Sequence, residues 1–346
     1  MIKWIFVALL ATAIATAPAA AAIRNVPADY PTIQAALNAS TAGDVIRVAP
    51  GTYVESLVIG AAQDGVTLES TGGAAVTTID GNNLQRVITC SSVGPQTVIR
   101  GFTIANGRAQ PGTPNNLGGG LKLFEADLRI EDNIIRNNFA EGAGGLYIDY
   151  STPTLIRNTI RDNQALGSGG GIYCDHFSNA RIESNIIARN SAGQYGGGIT
   201  AWEISSPRIV GNTIVANTAV LGGGGLYITR ECASEITRNI IAFNNQGGGI
   251  VRNDPVVAPT LTCNDVHGNL PANFTGLTDV TGTNGNQSAD PLFCNFPALD
   301  LSLGENSPCA SDHSPAGCGL VGAVDVGCGV VAVENTTWGQ IKARLQ

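Results

Sequence analysis

GGGLKL (118–123), AGGLYI (143–148), GGGIYC (169–174), GGGITA (196–201), GGGLYI (223–228) and GGGIV (247–251) are one pattern written six times. Each glycine cluster leads into an apolar strand that opens on Leu121, Leu146, Ile172, Ile199, Leu226 or Ile250. An asparagine follows at Asn133, Asn158, Asn185, Asn212, Asn239 and Asn264, in steps of 25, 27, 27, 27 and 25 residues. A second asparagine stands five positions after each of these: Asn138, Asn163, Asn190, Asn217, Asn244 and Asn269. So regular a period, in segments too short and too rich in Gly, Ile, Thr and Asn for helices, predicts a parallel β-solenoid with one repeat per coil. The residue three before each first asparagine is aliphatic (Ile130, Leu155, Ile182, Ile209, Ile236, Leu261), as is the residue two after it (Ile135, Ile160, Ile187, Ile214, Ile241, Val266). Stacked at about 4.8 Å per coil, these positions become continuous interior columns. The asparagines then form ladders at the bends, their amides satisfying backbone groups that the bend leaves unpaired.

Lys3, the apolar run from Trp4 to about Ala17, and Ala20-x-Ala22 read as a secretory signal peptide over residues 1–22. No other run is long and apolar enough for a membrane span. Eight cysteines suit a secreted, extracellular or cell-surface protein, where disulfides persist. A net charge of −8 with only 13% charged residues lacks the basic stripe that nucleic acid would need. The expected division is a β-helix over 23–275, a disulfide-containing extension of it over 276–330, and a short tail over 331–346. Among the roughly 105 connectivities that eight cysteines allow, the expected pairs within the extension are Cys294 with Cys309 and Cys318 with Cys328. Cys174 falls on an inward strand position and reads as a small core residue.

Pro31 followed by IQAALNA predicts a short helix over 31–40, laid across the first coil to cover the open end of the stack. The opening TIQAALNASTAGDVIRVAPGTYVESLVI (32–59) resembles that of pectin methylesterases and many bacterial β-helix proteins. With the repeats, it makes the chain similar to the right-handed parallel β-helix proteins of the pectate-lyase-like superfamily over about residues 24–270. The resemblance implies an all-β, right-handed, single-stranded solenoid with a short N-terminal capping helix. It is much less specific for activity. Gly51-Thr52-Tyr53-Val54-Glu55 resembles the methylesterase Gly-x-Tyr-x-Glu signature, but that family's Asp-containing catalytic motif has no match. Tyr173-Cys174-Asp175-His176 resembles the pectate-lyase Trp-Ile-Asp-His motif without its Arg-x-Pro-x-x-Arg partner. Of the polygalacturonase motifs, His267-Gly268 alone has a counterpart. At the far end, DPLFCNFPALDLSLGENSPC (290–309) resembles the closing segment of bacterial surface β-helix proteins that continue into anchoring tails. Beyond it, Trp338, Ile341 and Leu345 share one face of an expected short helix, suited to capping the last coil or to docking at a cell surface.

Candidate chemistry lies on the strands after the glycine clusters. Strand alternation turns the second and fourth residues of each outward. The first outward column is Lys122, Tyr147, Tyr173, Thr200 and Tyr227; the second is Phe124, Asp149, Asp175, Trp202 and Thr229. Glu125, Tyr150, His176, Glu203, Arg230 and Glu231 follow at the turn. Rings beside carboxylates suit a polysaccharide: Tyr147, Tyr173, Trp202, Tyr227 and His176 would contact sugar, and Asp149, Asp175 and Glu203 are the catalytic candidates. Asp149 and Asp175, one coil apart at roughly 5 Å, have the spacing of a retaining glycosidase pair, their repulsion raising one pKa. The same two carboxylates also suit Ca²⁺. A lyase would need a base, for which Lys122 and Arg230 are the nearby candidates. Three readings follow: polysaccharide binding, polysaccharide cleavage, and a structural or adhesive surface role in which the acids are a solvated rim.

Overall fold

The computed structural model describes residues 21–331 apart from 111, 113–115 and 255. The leader read over 1–22 falls outside the described residues except for its last two positions, and the expected tail helix falls wholly outside them. No described helix is long and apolar enough to cross a membrane. The chain winds into a parallel β-solenoid of about ten coils, with sheets of ten, nine and nine strands and a short fourth sheet of four. It is all-β and right-handed. One coil shows the plan: Ile172–Asp175 lies in the glycine-led sheet, Arg181–Glu183 in the second, Ile186–Ala188 in the third and Ser191–Ala192 in the fourth.

Stacking is in register, so like residues meet like. Leu146 pairs with Ile172 and then Ile199, Leu155 with Ile182 and Ile209, Ile160 with Ile187 and Ile214. These columns are buried along with Cys174, and they form one continuous core. The glycines allow the coils to approach at the corner entering the glycine-led sheet: a Cβ on Gly171 would lie 2.6 Å from the Gly198 carbonyl oxygen.

Both asparagine ladders are present. Asn185 Nδ2 donates to Asn212 Oδ1 (3.0 Å) and to the Leu155 and Glu183 carbonyls (both 2.9 Å), while Asn185 Oδ1 accepts from Asn158 N (2.8 Å). Each bend thus closes its backbone bonding through the next coil. Beyond the periodic region the ladders gain Asn286 and Asn273 as last rungs. A third ladder joins Ser151, Ser178 and Ser205 at the turn after the glycine-led sheet, each hydroxyl accepting a backbone N–H from the preceding coil.

The N-terminal helix spans Ile33–Asn38, shorter than the sequence suggests, with Thr32 as N-cap and Ile33, Ala36 and Leu37 buried. Pro31 therefore precedes the cap instead of opening the helix. Glu55 accepts from Ile33 N (2.9 Å) and Gln34 N (3.0 Å), so the glutamate of the methylesterase-like stretch holds the free amides of this helix.

Residues after the last coil double back against the outside of the third sheet. Phe293, Leu301, Leu303 and Val321 pack on Ala188, Val215, Ile240 and Phe243 as a second core. This return corrects the expected disulfides: the bonds are Cys263–Cys318 and Cys294–Cys328. Pairing nearest neighbours in sequence overlooked that Cys318 comes to rest on the final coil. Cys309 is instead a buried thiol 3.3 Å from Asp265 Oδ2. The two disulfides suit an oxidising, extracytoplasmic compartment.

Asp265 is fully buried, and burial pushes its carboxyl up to about 7 despite the hydrogen bond from Ala289 N. Its folded pKa exceeds the unfolded value of about 3.9. The stability it contributes is therefore present below the unfolded pKa and lost as pH rises through about 7. Between pH 5 and 8, Asp265→Asn should lose less stability than the parent. Denaturant titrations of both proteins check this; parallel pH profiles would show that Asp265 does not titrate in the window.

Candidate functional site

The site sits where the glycine-led strands end. Asp149 and Asp175 are the last residues of Leu146–Asp149 and Ile172–Asp175 and pair in register. The chain then turns through successive left-handed residues: His176 and Phe177 (φ 39° and 59°), Glu203 and Ile204 (44° and 60°), Arg230 and Glu231 (52° and 65°). Backbone bonds from Tyr150 N to His176 O, Phe177 N to Glu203 O and Ile204 N to Arg230 O stack these turns. The serine ladder behind them fixes their depth.

This stacking gathers acids around one imidazole. His176 Nδ1 lies 2.9 Å from Asp149 Oδ1 and 3.4 Å from Asp175 Oδ2, and Nε2 lies 2.8 Å from Glu203 Oε2. One donor atom each from Asp175, His176 and Glu203 lies within 4.8 Å of the others. Tyr147 Oη donates to Asp175 Oδ2 at 2.9 Å, the backbone N–H of His176 donates to Asp175 Oδ1, and Arg230 pairs with Glu203. The imidazole lies nearly parallel to the Tyr150 ring, 7° between planes with centroids 5.4 Å apart. Burial is the largest influence on Asp149 and Asp175 and raises both carboxyls above the ordinary range. Repulsion from Asp149 also raises Asp175, as a lesser effect than burial. Lys122 is shifted down, first by burial and then by Arg86, while Asp149 partly restores it.

The exposure expected for the first outward column is also corrected. Tyr147 and Tyr227 are only 3% and 2% exposed, Thr200 is buried and Tyr173 is half-buried. The chain entering each glycine cluster folds over the roots of these side chains; a Cβ on Gly169 would lie 2.6 Å from Tyr173 Cβ, and one on Gly223 would lie 2.7 Å from Tyr227 Cβ. Tyr195 stacks on Tyr227 at 4.4 Å between centroids. Trp202 is half-buried, with Arg230 4.6 Å over its ring and Tyr227 stacked beside it. Burial raises the phenols of Tyr147, Tyr173 and Tyr227, which remain neutral.

The solvent-facing rings are others. Phe124, Tyr150 and Phe177 are 39%, 49% and 53% exposed and form a ridge with 6.1 Å between successive centroids. Phe177 escapes a reading based on strand alternation, because the left-handed turn resets which side a residue faces. A signal did exist: Phe177 and Ile204 are large apolar residues 27 positions apart, each directly after a polar turn residue.

A family model described as "NosD: Periplasmic copper-binding protein (NosD)" matches residues 120–286, slightly under half of the chain. Among solved structures, the chain is similar to one titled "Crystal structure of pectate lyase Pel9A", with TM-score 0.55 and 14% identity, covering 85% of this chain and 91% of that one. A pectin methylesterase from Aspergillus niger aligns with TM-score 0.28 and 13% identity over 80% of this chain and 92% of that one. No curated protein matches. At such identity the lyase likeness concerns the fold, which is that of a pectate-lyase-like right-handed β-helix.

Proposed function

We propose that this chain is a secreted or surface-displayed protein that binds polysaccharide along the turn edge of its glycine-led sheet. The observation that carries the reading is the exposed ridge Phe124–Tyr150–Phe177, running beside the carboxylates of Asp149, Asp175 and Glu203. Rings spaced in this way stack on the apolar faces of sugars, and the acids accept hydroxyl hydrogen bonds. Trp202 and half-buried Tyr173 form the inner wall; Tyr147 and Tyr227 support it from beneath. Tyr150→Ala should weaken binding to a polysaccharide identified on a glycan array by about tenfold, matching roughly 1.4 kcal/mol for a lost stacking contact. Parent-like binding by both Tyr150→Ala and Phe177→Ala, or no binding by the parent, would overturn the site.

Cleavage is the second reading, favoured by Lys122, whose ammonium is shifted down by burial and by Arg86. A lysine so placed loses its proton more readily and could serve as the base of a lyase. Unsaturated oligosaccharide products, absent with Lys122→Met, would mark that chemistry.

The copper in the matched family's description is a question of donors here. The only methionine is Met1. Cys90, Cys174, Cys232 and Cys309 are buried thiols shifted up by burial, and the other four cysteines form disulfides. The described residues therefore hold no thiolate or thioether set suited to Cu(I). Nitrogen and oxygen donors converge at His176.

A further inference from the structure

We propose that Asp175, His176 and Glu203 bind one divalent transition-metal ion of the zinc or copper(II) class, with Asp149 as the residue that positions the imidazole. The inference goes beyond polysaccharide binding, although it draws on two of the same carboxylates, and its test reads the metal directly. Three donors from three separate side chains already lie within 4.8 Å of one another, before any ion draws them together. Asp175 and His176 are neighbours in one coil and Glu203 follows the equivalent strand of the next, so their approach is built into the stack.

The arrangement around the donors distinguishes the cluster from a solvated acidic rim. A metal-bound histidine commonly gives its other ring N–H to a carboxylate, which fixes tautomer and orientation. Here Asp149 Oδ1 lies 2.9 Å from Nδ1, Asp175 Oδ2 stands farther from that nitrogen at 3.4 Å, and Nε2 faces Glu203. The parallel Tyr150 ring limits rotation of the imidazole. Both acid ligands are oriented in turn: Tyr147 Oη and the His176 backbone N–H hold the two oxygens of Asp175, and Arg230 holds Glu203. Asp175 is only 8% exposed, so an ion there would be partly shielded from water.

The donor set selects the metal class. Calcium takes six to eight oxygen ligands and gains little from an imidazole. One imidazole nitrogen with two carboxylates suits Zn²⁺ or Cu²⁺, water completing the coordination. In this site Asp149 is a positioning residue and not a ligand, because its carboxylate is engaged on the far ring nitrogen.

The test uses the purified chain with His267 and His313 changed to Gln, so that His176 is the remaining histidine. Titration calorimetry with Zn²⁺ should give one ion per chain, and Cu²⁺ should give an EPR spectrum with hyperfine coupling from a single imidazole nitrogen. His176→Gln should remove that coupling and weaken Zn²⁺ binding by about a hundredfold or more. Asp149→Asn should retain the coupling, weaken binding by about 10–100-fold and change the tautomer of His176 seen by ¹⁵N NMR. Melting curves confirm that each variant is folded. Three results would overturn the proposal: unchanged coupling and affinity in His176→Gln, displacement of Zn²⁺ by equimolar Ca²⁺, or no binding below millimolar Zn²⁺.

Discussion

Ile187→Asp is expected to abolish folding of the solenoid, detected as loss of the β-sheet circular dichroism signal and of any cooperative melt. Ile187 is fully buried and stands between Ile160 and Ile214 in a column that runs through the whole stack. Its neighbours are aliphatic, so a carboxylate there has no cation and no donor. The ionised form would be so costly that the group would enter protonated, still without hydrogen bonds and at a cost of several kcal/mol. Loss of the isoleucine packing adds about 2–5 kcal/mol. Together these consume most of a typical stability of about 5–15 kcal/mol. In a solenoid the damage also spreads, because each coil is stable only against its neighbours. A variant that melts like the parent would mean that Ile187 does not point inward.

The core was legible because its signal repeats. Ile187 is read as inward from the same offset that places Ile160 and Ile214, and each coil tests the others. The site was legible only in part. Alternation correctly sends Tyr147 and Tyr227 out of the core, yet it says nothing about what then lies on top of them. That cover comes from Gly118 over Tyr147 and from Gly223 and Tyr195 over Tyr227, and the repeat does not specify the backbone path that brings them there. The cluster at His176 was visible as a list of turn residues, but its geometry was not. It depends on paired left-handed residues that no side-chain periodicity encodes. The disulfides failed for a related reason: Cys318 reaches Cys263 across 55 residues through a return path outside the repeat.

Asn185 should separate shape from hydrogen bonding. Asn185→Ala leaves the Leu155 carbonyl and the Asn158 backbone N–H without the partners they have in the parent, both at a buried bend. At about 1–3 kcal/mol for each of these two orphaned groups, a loss of about 2–6 kcal/mol is expected. Asn185→Asp is nearly isosteric and keeps the acceptor for Asn158, so shape alone would make it the milder change. Hydrogen bonding predicts the reverse. A carboxylate cannot donate, and its second oxygen would face Asn212 Oδ1 and the Leu155 and Glu183 carbonyls, three acceptors now met by Nδ2. Asn185→Asp should therefore be the less stable variant at neutral pH. It should recover part of the difference in mild acid, where the protonated carboxyl can donate to one of those oxygens. Denaturant unfolding at pH 7 and pH 5 measures both effects. An aspartate variant as stable as the parent at pH 7 would show that the ladder amide is not needed as a donor.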